Sequence, residues 1–285
     1  MSIKISELFY SIQGEGRYMG VPSIFLRTFG CNFHCAGFGM PRGELSTERD
    51  AVAEKHKQTP YTDYKSLPLV STGCDSYASW DPRFKHLSPM LETNAIVERI
   101  MQLLPFGEWR DEHLVITGGE PLLGWQREYP AVLGHPKMKN LKEITFETNG
   151  TQDLDPGLKA YLIEWLQQDN DRQITFSVSA KLPCSGHDFG ETIKPQIIEN
   201  YRSLGYTYLK FVVATEEDVT DAETAVLFYK AGIQGFNIPI YLMPVGGVES
   251  VYQLNAKTVA LAAMARGWRY SDRLQVPLFK NEWGT

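Results

Sequence analysis

The chain has 285 residues, 43% of them hydrophobic and 22% charged, with a formal net charge of −6, enough to bury a sizeable core as one large α/β domain or two small ones. The acidic balance excludes a broad nucleic-acid footprint, which needs a basic face, and no apolar run reaches the roughly 18–20 residues that a membrane-spanning helix requires. Cys31, Cys35, Cys74 and Cys184 are too few for a disulfide scaffold, and the N-terminus M-S-I-K-I-S-E-L lacks the apolar stretch of a secretory signal, so a cytoplasmic location and thiolate ligands are expected.

In chain order, strands are predicted at Pro22–Thr28, His113–Thr117, Glu143–Glu147, Gln173–Ser179, Thr207–Val213 and Asn237–Met243, all short and rich in β-branched or aromatic residues. Apolar residues at three- and four-residue spacing predict helices over Thr93–Leu104, Pro156–Gln168, Ile193–Leu204, Glu216–Ala231 and Asn255–Arg266. Asp155-Pro156 reads as an N-cap followed by proline at the first helical position. This alternation predicts a parallel sheet wrapped by helices, either open or closed into a barrel. Both architectures gather functional residues at the carboxyl ends of strands. Cys31 follows the first strand, Gly118-Gly119-Glu120-Pro121 the second, Thr148-Asn149-Gly150 the third and Ala180-Lys181 the fourth, while Met243-Pro244 ends the sixth.

The segment 36–73 breaks the rhythm, since connections this long are uncommon without a purpose. Thr47–Lys57 reads as a short exposed helix within an excursion from the rim; a mobile surface insertion is the alternative. The excursion falls inside a ligand pattern. Cys31 and Cys35, in C-N-F-H-C, begin like an iron–sulfur loop, but Phe38 stands where C-x3-C-x2-C would place the third cysteine. The next cysteine is Cys74, in G-C-D-S-Y-A-S-W-D.

Glu7 to Cys31, E-L-F-Y-S-I-Q-G-E-G-R-Y-M-G-V-P-S-I-F-L-R-T-F-G-C, resembles the N-terminus of the 7-carboxy-7-deazaguanine synthases, members of the radical S-adenosylmethionine superfamily. The resemblance continues through Cys74-Asp75-Ser76 with Trp80, G-G-E-P, E-T-N-G, S-A-K-L-P-C-S-G, L-K-F-V-V, Y-L-M-P and R-L-Q-V-P-L-F-K, and so covers most of the chain outside 36–73. It implies a single domain over 1–285 with a partial (β/α)6 TIM-like barrel, open on one side, in which 36–73 is inserted between the second and third cluster cysteines. It also implies a [4Fe–4S] cluster on Cys31, Cys35 and Cys74. Three thiolates on four irons leave one iron open to S-adenosylmethionine.

The same resemblance implies that Gly118, Gly119, Glu120, Glu147, Thr148, Asn149, Ser179 and Lys181 contact S-adenosylmethionine, and that Gln13, Glu15, Arg27 and Lys210 bind the substrate. Ser76, where the family has threonine, would hold magnesium with a weaker preference, because serine keeps the oxygen and loses the methyl that restricts χ1. The implied reaction converts 6-carboxy-5,6,7,8-tetrahydropterin to 7-carboxy-7-deazaguanine with loss of ammonia, towards queuosine-type bases. Its implied partners are a small-molecule pterin, an external one-electron donor such as a flavodoxin, and a second copy of the chain in a homodimer.

Plainer readings stand beside these. The four cysteines could close a structural zinc site, although paired C-x2-C spacings are missing. Cys184 could be a fourth ligand, but its K-L-P-C-S-G setting matches a loop that needs no cysteine. G-G-E-P alone is a turn, Asn149-Gly150 a turn, Lys181 a solvated side chain, and Arg27 a structural partner of Glu15. Another radical enzyme, such as a glycyl-radical activase, or a non-catalytic module on a decayed fold would account for part of the pattern.

Overall fold

The computed structural model describes residues 1–285. Nine strands form one sheet: β1 Ser2–Ile12, β2 Pro22–Thr28, β3 Met90–Glu92, β4 His113–Gly118, β5 Glu143–Thr148, β6 Gln173–Val178, β7 Tyr206–Val213, β8 Ile240–Pro244 and β9 Arg269–Tyr270. Their order is β3-β1-β2-β4-β5-β6-β7-β8-β9, so the short strands β3 and β9 leave the sheet open. β1 pairs antiparallel with β2 and β3, and every pair from β2 to β9 is parallel.

The six predicted strands are β2 and β4 to β8. β8 begins its ladder late because Pro239 has no N–H to donate, although its carbonyl still accepts from the Leu209 N–H at 3.0 Å. Nine helices accompany the sheet: α1 Glu48–Gln58, α2 Thr93–Leu103, α3 Tyr129–Leu133, α4 Pro156–Gln167, α5 Phe189–Thr192, α6 Pro195–Leu204, α7 Glu216–Gly232, α8 Glu249–Ala265 and α9 Gln275–Phe279. α4 starts as its sequence predicts, with the Asp155 carboxylate accepting from the Gly157 N–H. α7 opens on a reciprocal capping box between Thr215 and Asp218. α6 starts at Pro195, two residues later than its periodicity suggests, and α8 six residues earlier than Asn255.

Side chains alternate across the parallel strands, and the two faces differ in kind. Ile24, Leu26, Leu114, Ile116, Ile144, Phe146, Ile174, Phe176, Leu209, Phe211 and Leu242 join the main core with Ile100 of α2, Leu158, Leu162 and Trp165 of α4, Tyr201 of α6 and Tyr229 of α7. The intervening positions Phe25, Arg27, Thr117, Glu147, Ser177, Lys210, Val212 and Met243 line a cavity on the opposite face. Charges within strands are thereby placed where polar partners and ligands are accessible, away from the helix layer.

The segment between Cys35 and Cys74 is a packed layer. Val52 and Ala53 of α1 are buried in a second core with Tyr64, Leu67, Val70, Tyr77, Trp80 and Phe84. The expectation of an exposed helix is therefore corrected: alternation of charged residues with Val52 and Ala53 gives α1 one solvated face and one buried face. Trp283 joins the same core from the far end of the chain, its indole N–H donating to the Leu67 carbonyl at 2.8 Å and its ring edge-on to Tyr64 at 4.9 Å.

Candidate active site

The end of β2 meets the end of β4 at very close range. Gly119 lies so near Cys31 that a Cβ there would stand 2.6 Å from the cysteine Cβ and 2.5 Å from the Gly30 carbonyl oxygen. Only glycine permits that approach. The Glu120 N–H donates to the Gly30 carbonyl at 2.7 Å, and the Gly30 N–H to the Ser79 carbonyl at 2.8 Å. Cys35 adopts a left-handed backbone (φ 46°), with its N–H directed to His187 Nε2 at 3.3 Å.

The two ends of segment 36–73 are joined like the neck of a loop. The Gly73 N–H donates to the Phe38 carbonyl at 2.7 Å and the Ser46 N–H to the Ala36 carbonyl at 2.8 Å. The Glu48 carboxylate accepts from the Ser71 N–H at 2.7 Å and the Thr72 hydroxyl at 2.7 Å. The chain that leaves Cys35 is consequently returned beside it, and Cys31, Cys35 and Cys74 line one cavity as free thiols.

Their surroundings suit thiolate ligands. The Phe33 N–H points at Cys31 Sγ (3.4 Å), and the Trp80 indole N–H at Cys74 Sγ (3.3 Å). Burial pushes the Cys31 thiol up to about 12 and raises that of Cys35 as well, so each is held as a neutral thiol until a cation replaces its proton. No three His, Cys, Asp or Glu side chains are grouped closely enough here to hold a single metal ion. Cys184 does not line the cavity; its thiol faces the Val212 carbonyl at 3.5 Å.

Gly118, Gly119, Glu147, Thr148, Asn149, Ser179 and Lys181 line the same cavity, together with Phe38. Glu120 does not. Its carboxylate accepts from Thr148 Oγ1 (2.8 Å), the Asn149 N–H (2.6 Å) and the Leu122 N–H (3.0 Å), and burial raises its pKa despite these donors. In the free protein Glu120 thus braces the ends of β4 and β5. Asn149 is held by Asn32 at 2.9 Å, and Lys181 by Ser179 at 3.1 Å. Ser177, which the sequence reading passed over, is buried on the cavity wall with no hydrogen-bond partner for its hydroxyl.

Gln13, Glu15, Arg27 and Lys210 also line the cavity. Arg27 stands directly opposite Glu7 in the β1–β2 register, and its Nε donates to Glu7 Oε2 at 2.9 Å. The alternative Arg27–Glu15 bridge is thus replaced by an Arg27–Glu7 cross-strand pair, and Nε, rather than the two-nitrogen end of the guanidinium, carries it. Gln13 donates to Glu147 Oε1 at 3.1 Å and accepts from the Glu15 N–H at 3.0 Å. Glu15 is bonded to Lys210 through Oε2, and through Oε1 to Arg273 Nε at 3.3 Å and Gln275 Nε2 at 2.8 Å. Burial disfavours the Glu15 charge, but Lys210 and Arg273 outweigh it and hold the carboxyl at about 2. Lys210 is shifted the other way: burial opposes its charge, and Glu15 and Glu147 more than compensate.

Glu7, Asp75, Arg273, Gln275 and the segment 281–285 also line the cavity and were not foreseen. The Glu7 signal was present as a lone charge among apolar residues in β1. Arg273 opens the R-L-Q-V-P-L-F-K motif, but nothing in that motif points to its partners Glu15 and Asp75, which are remote in sequence. Ser76 lies on the wall with its hydroxyl 3.5 Å from Cys74 Sγ.

The chain matches no family model. It is 28% identical to the 7-carboxy-7-deazaguanine synthase of Rhodopirellula baltica, with 100% of this chain and 89% of that protein covered. The like-named proteins of Halobacterium salinarum and Pyrobaculum aerophilum are each 26% identical, covering 98% and 99% of this chain and 91% and 97% of their own. Among solved structures, QueE from Escherichia coli superposes with a TM-score of 0.54 at 18% identity, covering 95% of this chain and 93% of that one. The expected open (β/α)6-type barrel is accordingly the fold found. In sequence, this chain is similar over nearly all of its length to the 7-carboxy-7-deazaguanine synthases.

Proposed function

We propose that the chain is a radical S-adenosylmethionine lyase that converts 6-carboxy-5,6,7,8-tetrahydropterin to 7-carboxy-7-deazaguanine with loss of ammonia, in deazapurine biosynthesis. The observation that carries this reading is the convergence on one cavity of three free thiols, a rim of strand-end polar groups, and a charged wall formed by Gln13, Glu15, Arg27 and Lys210. Cys31, Cys35 and Cys74 would hold the cluster. Gly118, Gly119, Glu147, Thr148, Asn149, Ser179 and Lys181 would receive the sulfonium cosubstrate, and Ser76 a magnesium ion. When bound, these groups supply the one-electron bond cleavage that starts removal of hydrogen from the substrate.

The chain's own residues bind and orient the substrate. Arg27, braced through Nε by Glu7, offers its remaining N–H groups to the substrate carboxylate. Glu15, ionised at neutral pH, accepts from the guanidine-like edge of the pterin. Both Glu15 oxygens have partners in the free protein, so an incoming edge must displace or share Lys210. A released Lys210 would carry its charge towards the carboxylate. Segment 281–285, Leu69 and Ser71 add to the cavity wall.

We read residues 1–285 as one catalytic domain with 36–73 as an insertion. A one-electron donor such as a flavodoxin would act as reductant and the chain as a cytoplasmic homodimer, for which the exposed Leu254, Leu261 and Met264 of α8 offer apolar surface. No helix is long and apolar enough to cross a membrane. Anaerobic reconstitution with iron counting, followed by incubation with the pterin, S-adenosylmethionine and dithionite, tests the assignment. Deazaguanine product supports it; cosubstrate cleavage without product would favour another radical enzyme such as a glycyl-radical activase, and failure to bind iron a non-catalytic module.

A further inference from the structure

Arg273 lines the cavity and joins Glu15 to Asp75. It is 7% exposed and makes three kinds of contact: Nε to Glu15 Oε1 at 3.3 Å, Nη2 to Asp75 Oδ2 at 2.5 Å, and Nη1 to the Gly246 carbonyl. Glu15 belongs to the wall assigned to the substrate, and Asp75 lies between Cys74 and Ser76. A single guanidinium therefore spans from the substrate wall to the segment that returns the third thiol. Nearby bonds make the same junction stiff. The Leu274 N–H donates to the Gly14 carbonyl at 3.0 Å, the Gly16 N–H to Ser271 Oγ at 2.9 Å, and Gln275 shares Glu15 Oε1 with Arg273.

The division of labour on Glu15 is informative. Oε1 receives both Arg273 and Gln275, neighbours on one short stretch, whereas Oε2 receives only the flexible amine of Lys210. Anchoring one oxygen leaves the other as the exchangeable acceptor. The Asp75 end has a different need. Segment 36–73 fixes Cys74 from outside the barrel through backbone and Glu48 contacts, and Arg273 is the side chain that ties Asp75 to the barrel's far wall. Removing it strips Glu15 of one of its two cationic partners and Asp75 of its ion-pair partner, and breaks the bond network between them.

We infer that Arg273 is a positioning residue that sets the substrate-binding carboxylate of Glu15 and the cluster-flanking segment Cys74–Ser76 in one fixed relation, so that substrate binding and cosubstrate cleavage are coupled. The inference rests on the pterin reading above and assigns a role to a residue outside the set which that reading uses. Arg273 itself touches no reacting atom; it acts through Glu15 and Asp75.

The test uses the reconstituted full chain with Arg273→Gln, Arg273→Lys, Asp75→Asn and the Arg273→Gln/Asp75→Asn pair. Pterin affinity is measured by calorimetry without S-adenosylmethionine, and the ratio of 5′-deoxyadenosine to deazaguanine product with it. Loss of a buried charge partner should weaken pterin binding by about tenfold or more in Arg273→Gln, raise the ratio, and leave iron content at the wild-type level. Arg273→Lys should recover less than half of the affinity loss, because an amine cannot span Glu15, Asp75 and Gly246 together. The double variant should show the same ratio as Arg273→Gln alone. Wild-type pterin affinity and an unchanged ratio in Arg273→Gln would overturn the inference. If that variant fails to fold, an unchanged ratio in Arg273→Lys and Asp75→Asn would overturn it equally. Should the wild-type protein make no deazaguanine, the pterin reading fails first. The cluster's electron paramagnetic resonance signal on adding S-adenosylmethionine then decides the Asp75 arm: a shift between wild type and Arg273→Gln supports the tie, and identical spectra overturn it.

Discussion

Glu15 shows how much a single carboxylate can depend on its setting. Its folded pKa is depressed to about 2 by Lys210 and Arg273, so its ion pairs contribute stability fully above the ordinary carboxylate range and lose it as pH falls towards the folded value. Glu7 and Glu120 are shifted upward by burial and contribute in the opposite sense. Glu15→Gln is therefore expected to flatten the acid limb of a thermal-stability profile between about pH 5 and 2, as read by calorimetry. Cys74→Ala should lower the iron bound after reconstitution to background, whereas Cys184→Ala should leave it unchanged; iron counting on both variants separates a remote third ligand from a spectator. At this scale the sequence was legible wherever a residue's chemistry conflicts with its surroundings. Charges inside strands, such as Arg27 and Lys210, and cysteines at strand ends announced themselves. Arg273 did not, since nothing local to R-L-Q-V reveals that its partners are Glu15 and Asp75.

Among the elements, α1 and its neighbours matter most. Their burial of Val52, Ala53, Tyr64 and Leu67 makes segment 36–73 a support for Cys74 through the shared core with Tyr77 and Trp80. Val52→Asp should place an unpaired charge in that core, reducing iron content after reconstitution while the far-ultraviolet dichroism of the barrel stays near wild type. Retention of full iron would show that the neck bonds at Phe38–Gly73 and Glu48 suffice. The helix itself was legible in A-V-A-E-K-H-K; its buried face was not, because that face depends on aromatic residues supplied by Tyr77, Phe84 and the distant Trp283. β1 was missed for a related reason. Its alternation is interrupted by the register shift between Ile5 and Glu7, which turns neighbouring side chains out of a clean two-residue period.

At the level of the whole molecule, the sheet separates packing from chemistry by parity alone. Phe176 is buried in the helix-facing core, while Ser177, the next residue, faces the cavity. Phe176→Ala is expected to cost about 3–5 kcal/mol of stability by chemical denaturation. Ser177→Ala should cost nothing measurable there, since its hydroxyl has no partner to lose. Equal losses at both positions would contradict the division. The parallel architecture was readable because six strands and their helices each carry a local period. The edges β3 and β9 were too short to carry one.

The reading loop at Gln13–Gly16 is buttressed by residues 271–275, nearly the full length of the polymer away. During synthesis the loop leaves the ribosome well before its buttress does. A chain made only as far as β6 thus carries Glu15 without Lys210, Arg273 or Gln275, and this wall of the cavity is completed only when residues 271–275 join it.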